Sequence, residues 1–226
     1  MAPETSSAAT NAQSAASRIV KAIVRGLYEG AYAPGQRLAE PELMSQFDVG
    51  RSTARESIRL MESEGLVTVL PHRGAVIRRM SAKEALDALQ VMELCIGLAA
   101  RQAAERIAAT SGEPLEQAWR ALRRFRDAPH GYDFIAARNR FYRAITDIAG
   151  NAELSRIVPS IHVHLIRRDY SMTAPARFED YARMSEAILA GDAAAAETAA
   201  RQHIARTAAL VRQRAAEDQP SPTGED

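Results

Sequence analysis

A chain of 226 residues, 46% hydrophobic and 25% charged, holds enough apolar material for one large folded domain or two small ones. Its single cysteine excludes an intrachain disulfide, no apolar stretch approaches the roughly 18 residues a membrane span requires, and a formal net charge of +1 decides nothing about a nucleic-acid partner. The distribution of charge says a little more. Residues 18–80 hold ten Lys and Arg against seven Asp and Glu, whereas residues 81–218 hold nineteen against eighteen, so the basic excess lies toward the N-terminus.

Residues 1–17 are rich in Ala, Ser and Thr but lack a basic start and an apolar centre, so they read as a disordered tail and not as a signal peptide. From Ser17 to Tyr28 the apolar positions Ile19, Ile23, Val24 and Leu27 recur at helical spacing, and Gly30 with Pro34-Gly35 stops that helix. A second short helix carries Leu43, Met44 and Phe47, with Pro41 tolerated in its first turn. A third begins near Ser52, where Thr53 and Glu56 have capping-box spacing, carries Ile58, Leu60 and Met61, and ends at Gly65. The run from Leu66 to Leu70, a turn at Pro71-His72-Arg73-Gly74, and Ala75-Val76-Ile77 form a hairpin. Three helices followed by a two-stranded wing are the layout of a winged helix-turn-helix, placed here at residues 18–80.

Residues 81–218 give no further strand signal of any strength. They are Ala-rich and read as six helices of a bundle, punctuated at Gly112-Glu113-Pro114, Pro129-His130-Gly131, Gly150-Asn151, Thr173-Ala174-Pro175 and Gly191-Asp192. Pro159 falls in the fourth and should kink it or mark its first turn. Cys95, inside an apolar helical run, reads as a small buried hydrophobe and fits a reducing, cytoplasmic compartment. The polar residues 219–226 form a second tail.

Chemistry concentrates first in the third helix. Arg51, Arg55 and Arg59 recur every four residues and share a face, with Arg51, Ser52, Thr53 and Arg55 at the end that a recognition helix inserts into the major groove. Arginine there can donate a bidentate pair to guanine, and the hydroxyls reach phosphates. His72, Arg73 and Gly74 form a wing tip that can enter an adjacent groove or grip the backbone. A solvated face paired with Glu56, Glu62 and Glu64 explains the arginine spacing equally well. The coincidence of a basic helix with a preceding helix-turn and a following basic wing favours double-stranded DNA.

The run PGQRLAEPELMSQFDVGRSTARESIRLMESEGLVTVLPHRGAVI, within residues 24–79, resembles the winged domain of GntR-type regulators. Pro34-Gly35, Leu38, Glu42-Leu43, Val49, Arg51, Arg55-Glu56, Leu60, Glu64-Gly65-Leu66 and Gly74 carry the resemblance. The helical remainder is similar to the FCD ligand-binding domain of the FadR-like branch. The resemblance implies a transcription regulator whose DNA-contacting arginines are Arg51 and Arg55, supported by the wing around Arg73-Gly74. Two departures stand out: a family arginine in the second helix is Pro41 here, and the usual serine before the recognition arginine is Gly50.

The same branch holds a divalent metal between an Asp and a His four residues apart and two later His. By resemblance those positions fall on Arg138, Tyr142, Tyr181 and His203, so only one imidazole remains and no metal or other cofactor is expected. His162 and His164, two residues apart on a helix, point to different sides and do not replace the lost ligands. At about 100° per residue, Phe134, Phe141, Ile145, Ile148 and Ala149 share one face with Arg138 in its middle and Tyr142 at its margin; Asp133, Arg140, Arg143 and Asp147 lie opposite. Tyr181 falls with Phe178, Ser185 and Ile188, and His203 with Ala196, Ala200, Thr207 and Leu210. A buried Arg138 either pairs with an internal acid such as Glu93, snorkels to solvent, or meets an anionic ligand.

The reading is therefore a non-enzymatic, DNA-binding homodimer whose operator affinity responds to a small carboxylate held by Arg138, Tyr142, Tyr181 and His203. Its rivals are an architectural DNA-binding dimer without an effector, which calls for a fully apolar bundle core, and a metal-dependent enzyme, which calls for a ligand cluster the sequence lacks.

Overall fold

The computed structural model describes residues 5–70, 74–160 and 172–217. The wing-tip residues His72 and Arg73, the histidines His162 and His164, and the C-terminal tail lie outside them. The chain divides into two compact units, Met1–Arg79 and Met80–Asp226.

The first unit runs α1 (Thr5–Glu29), β1 (Arg37–Leu38), α2 (Glu40–Phe47), α3 (Arg51–Ser63), β2 (Val67–Leu70) and β3 (Gly74–Ile77). Helix α1 begins at Thr5, so most of the segment expected as a tail is helical, and Ala16 within it is fully buried. The Ala and Ser residues that looked like a polar tail are good or neutral helix formers, and periodicity counts only large apolar side chains. In α2, Pro41 occupies the first turn, where its missing N–H costs nothing, and Asp48 closes the helix in the left-handed region.

Helix α3 starts one residue earlier than its spacing suggested, with Gly50 as N-cap and no side-chain cap. Thr53 is thus the third helical residue and forms no capping box with Glu56, because a capping side chain must come from outside the first turn. The hairpin is a three-stranded sheet of order β1-β3-β2, antiparallel throughout, with Val69 opposite Ala75 and Leu70 opposite Gly74. Strand β1 has no signal in the sequence, because two residues give no alternation. Gly74 has φ +80°, and a Cβ there would stand 2.9 Å from the Leu38 carbonyl oxygen, so the wing needs glycine at that point.

The core of this unit joins Ile19, Ile23 and Leu27 of α1 to Leu43, Ala54, Ile58 and Met61, with Leu66, Ala75 and Ile77 from the wing strands and their approach. Packing of that face leaves the opposite side of α3 in water.

Among its described residues the second unit is all helical: α4 (Ala82–Arg106) with a 3-10 turn at Ile107–Ala109, α5 (Glu113–Arg123), α6 (Gly131–Ala149), α7 (Ala152–Ser160), α8 (Ala174–Leu189) and α9 (Ala193–Glu217). Ser81 and Glu84 form a capping box that starts α4: Ser81 Oγ accepts from the Glu84 N–H at 3.2 Å, and Glu84 Oε2 accepts from the Ser81 N–H at 2.9 Å. Pro159 lies inside α7, beyond its first turn. Helices α4 and α9 share the most extensive packing, and α6 lies against α4 and α5. A Cβ on Gly97 would meet Arg201 Cγ at 2.7 Å, which shows how closely α4 and α9 approach. Cys95 is half-buried on α4, where burial pushes its thiol pKa up and away from the reactive thiolate.

Candidate functional site

The first candidate site is the solvent side of α3. Arg51 and Ser52 are exposed, Thr53 is half-buried, and Arg55 and Arg59 are exposed one and two turns further on. With no side chain capping Gly50, the backbone N–H groups of the first turn remain available to an anion. Arg55 donates from Nε to Glu40 Oε1 at 3.1 Å and from Nη2 to Glu40 Oε2 at 3.4 Å. Arg59 pairs with Glu56 at 3.8 Å.

Of the three acids expected to pair this face, Glu56 does so. The partner of Arg55 is instead Glu40, fifteen residues away at the start of α2. Nothing local in the sequence signals that pair, because it depends on how α2 crosses α3. The hydrogen bond and charge of Glu40 raise the Arg55 pKa further, so this guanidinium stays charged. Both residues line an open groove of about 520 Å³ that also takes in Arg37, Pro41 and the wing residues Leu70 and Gly74.

The second candidate site is inside the helical unit. Arg138 is 4% exposed, Tyr142 6%, and Tyr181 and His203 are fully buried. Ring centroids of Tyr181 and His203 stand 4.9 Å apart, those of Tyr142 and Tyr181 6.2 Å, and those of Tyr142 and His203 6.5 Å. The structure thus gathers the two phenols and the imidazole from α6, α8 and α9, and Arg138 lies one turn before Tyr142 on the same buried face of α6. Tyr142, expected at the margin of that face, is inside it. Glu93, offered as an internal partner for Arg138, pairs instead with Arg201 at 3.2 Å, while Arg138 Nη2 donates to Asn139 Oδ1 at 3.1 Å.

Two further polar residues belong to these surroundings, of which Asp180 carries no special signal in the sequence and Ser185 is placed only by its helical period with Tyr181. Asp180 is fully buried; its Oδ2 accepts from His203 Nδ1 at 3.2 Å, and its Oδ1 accepts from Arg206 Nη1 at 2.6 Å and from Arg183. A carboxylate only accepts, so the proton of His203 sits on Nδ1. Burial pushes the Asp180 carboxyl up, but the hydrogen bond and charge of His203, with Arg206 and Arg183, outweigh it and hold the group below the usual carboxylate range. An Asp180/Arg183 spacing of three was visible, yet it reads equally as a solvated helix pair. The other is Ser185, one turn beyond Tyr181, whose buried Oγ has no hydrogen-bond partner among the described residues.

The divalent metal implied by the family resemblance does not fit these residues. A guanidinium stands where a carboxylate is needed, phenols stand where two imidazoles are needed, and the single imidazole that remains is too few donors for a divalent ion. Among the described residues, no group of three His, Cys, Asp or Glu side chains is placed to hold an ion.

A winged helix-turn-helix with an open arginine face, joined in one chain to a helical unit with buried polar groups, defines a DNA-binding transcription regulator. Comparison with known proteins gives the same class. Residues 15–77 match the model of the bacterial regulatory proteins of the gntR family, and residues 84–206 match the FCD domain. The chain belongs to the GntR family of transcription regulators, with a C-terminal FCD domain.

Relatives include the uncharacterized HTH-type transcriptional regulator YdhC of Bacillus subtilis (strain 168), 24% identical over 79% of this chain and 80% of that protein. The "Probable D-xylose utilization operon transcriptional repressor" of Paenarthrobacter nicotinovorans is also 24% identical, over 84% of this chain and 85% of its own length. Among solved structures, E. coli McbR/YncC aligns with a TM-score of 0.73 at 16% identity, covering 89% of this chain and 98% of that one, a likeness of fold. No helix among the described residues is long and apolar enough to cross a membrane.

Proposed function

We propose that this regulator binds operator DNA as a homodimer in the cytoplasm, and that a small organic acid, bound without a metal in the helical unit, changes its operator affinity. One observation carries the effector reading: a 4%-exposed arginine shares its helix face with a buried tyrosine that meets a second tyrosine and a carboxylate-tethered histidine. A guanidinium presents a rigid fork that matches a carboxylate, and the pair is stronger away from bulk water. Tyr142, Tyr181 and His203 supply hydrogen bonds for the remaining oxygens and ring faces for an apolar body.

In the winged unit, Arg51 and Arg55 read base edges. Ser52, Thr53 and the first-turn N–H groups of α3 bind phosphate, and the wing at His72, Arg73 and Gly74 adds an adjacent contact. One winged unit reads only a few base pairs, so specificity calls for two copies at fixed spacing. Val91, Leu94 and Leu98 support the helical unit as the holder: 50%, 60% and 42% exposed, they form an apolar stripe along one face of α4.

A thermal-shift screen of small organic acids on the full chain tests the effector reading, because a ligand of the folded state alone must raise Tm. Trp119, the one tryptophan, lies 6.2 Å from the rings of both Phe141 and Phe178 and serves as a second, fluorescent readout. The expected result is a stabilising carboxylate whose effect survives chelator, disappears in Arg138→Ala, and shifts operator binding of the wild type. Stoichiometric transition metal by elemental analysis, or an effector response indifferent to Arg138, would overturn it.

A further inference from the structure

The contact between Glu40 and Arg55 fixes more than charge. A guanidinium has five N–H groups, arranged as a side edge made by Nε and one proton of Nη2, and an end edge made by Nη1 and the other face of Nη2. Glu40 occupies the side edge with both carboxylate oxygens, at 3.1 and 3.4 Å. Either edge offers the two parallel N–H bonds that match the N7 and O6 acceptors of guanine, and with the side edge taken by Glu40 it is the end edge that is left for a base.

From this geometry we infer that Glu40 is a positioning residue for sequence readout: it aims the end edge of Arg55 at a single guanine. The inference rests on the base-contact role proposed above for Arg55. Arg55 is exposed, and on its own a long arginine side chain samples many rotamers, most of which meet a phosphate as readily as a base. Two hydrogen bonds to one carboxylate fix the guanidinium plane before DNA arrives. Glu40 itself is well anchored for this task. It is the first residue of α2, where a negative charge is favoured by the helix dipole, and its side chain is only 29% exposed.

Glu40 also acts through repulsion. Its carboxylate disfavours the approach of a phosphate to Arg55, which penalises the non-specific mode and leaves the base-reading mode. Pro41, next to it, supplies no cation to draw a phosphate in, so this corner of the groove carries Glu40 and Arg55 as a matched pair. The expected signature is a strong guanine preference at one position of each half-site that depends on an acid which itself contacts no DNA.

The test uses the full-length wild type, Glu40→Gln, Glu40→Ala and Arg55→Ala, each selected on a randomised double-stranded DNA library, with Tm recorded for every variant. Glu40→Gln keeps the size of the side chain but loses the charge and one of the two acceptors. The expected result is loss of preference, from about tenfold or more to less than about threefold, at one position per half-site, the same position that Arg55→Ala relaxes. Binding of the Glu40 variants to mixed-sequence DNA should tighten at low salt, because a negative charge has gone. A residue with a merely structural role would change Tm and leave the base profile intact.

An unchanged profile in Glu40→Gln and Glu40→Ala, alongside a relaxed one in Arg55→Ala, would overturn the positioning role alone. An unchanged profile in Arg55→Ala would instead overturn the base contact on which it rests. Failure of both Glu40 variants to fold would also sink the inference, by making Glu40 a structural residue.

Discussion

In the winged unit the arginines along α3 stand in water: the side chains of Arg55 and Arg59 are 53% and 69% exposed, and each meets one carboxylate at the surface. In the helical unit the corresponding groups are inside: Arg138 is 4% exposed, and Asp180, which gathers His203, Arg183 and Arg206, is 0% exposed. The same chemistry, guanidinium against carboxylate, therefore does two different jobs. An exposed pair is screened and contributes little to stability, so Glu40 matters through the direction in which it points Arg55. A buried carboxylate cannot shed its partners without a large penalty, so Asp180 matters through energy as well as direction.

Removing Asp180 should give the largest effect. Asp180→Ala strips the acceptor from His203, Arg183 and Arg206 at once and is expected to cost about 3 kcal/mol, the low end for a buried network because the two arginines are partly exposed. For a unit of this size that is a fall in Tm of roughly 6–12 °C. The pH dependence has a definite sign. The folded carboxyl titrates below its unfolded value of about 3.9, so its contribution is complete above that value and is lost as pH falls through the folded one. The stability of Asp180→Asn should lack that acid-side loss. A variant that melts like the wild type at neutral pH would erase the contrast between the two units.

Asp180 also shows where sequence reading stops. Helical period places its neighbour Tyr181 on an inward face, as it does Arg138 and His203, with Tyr142 only at a margin, and all four are buried. Period places a residue on a face of its own helix but not its partner on another. The Asp180–His203 contact spans 23 residues and the Glu40–Arg55 contact 15, so both appear only once the helices are packed. The winged layout was legible because large apolar residues, Pro and Gly mark its elements. The N-terminal extent of α1 and the two-residue strand β1 were not, since Ala and Ser carry no periodic signal and so short a strand has no alternation.

Gly74→Ala tests the winged unit in a complementary way, through its backbone. The position has φ +80°, and an added Cβ would crowd the Leu38 carbonyl oxygen at 2.9 Å, so a cost of about 2 kcal/mol is expected. In a unit of 79 residues this lowers Tm by roughly 10 °C, while effector binding in the helical unit should survive. Loss of both responses together would mean that the two units do not fold independently.

Arg55→Ala and Arg73→Ala sharpen the comparison from the side of the proposed DNA contacts. Arg55→Ala should weaken operator binding roughly tenfold and relax the preference at one base position. Arg73→Ala, as a phosphate contact, should weaken all sequences alike and reduce the salt slope by about 0.9. Neither substitution should move Tm appreciably, in contrast with Asp180→Ala. Equal operator binding by the wild type and both variants would remove α3 and the wing from the interface.

Gly50→Ser is the smallest change and probes the start of the recognition helix. Gly50 is the N-cap of α3, with φ −73° and ψ 163°, a conformation open to any residue, and a Cβ there would meet nothing within 4 Å. Serine places an oxygen within reach of the N–H of Ser52 or Thr53, one of the donors that α3 leaves unsatisfied. Relative to glycine the gain is only about 0.3 kcal/mol, a rise of roughly 1–2 °C in the melting of the winged unit. The added cap also competes with phosphate for that same N–H. The stability gain should therefore come with a slight loss of affinity that is the same for every DNA sequence, because a backbone donor at a helix terminus grips phosphate without reading bases. A fall in Tm would show that the entry to α3 needs the freedom of glycine after all, and a changed base preference would move the start of this helix from holding the backbone to reading the sequence.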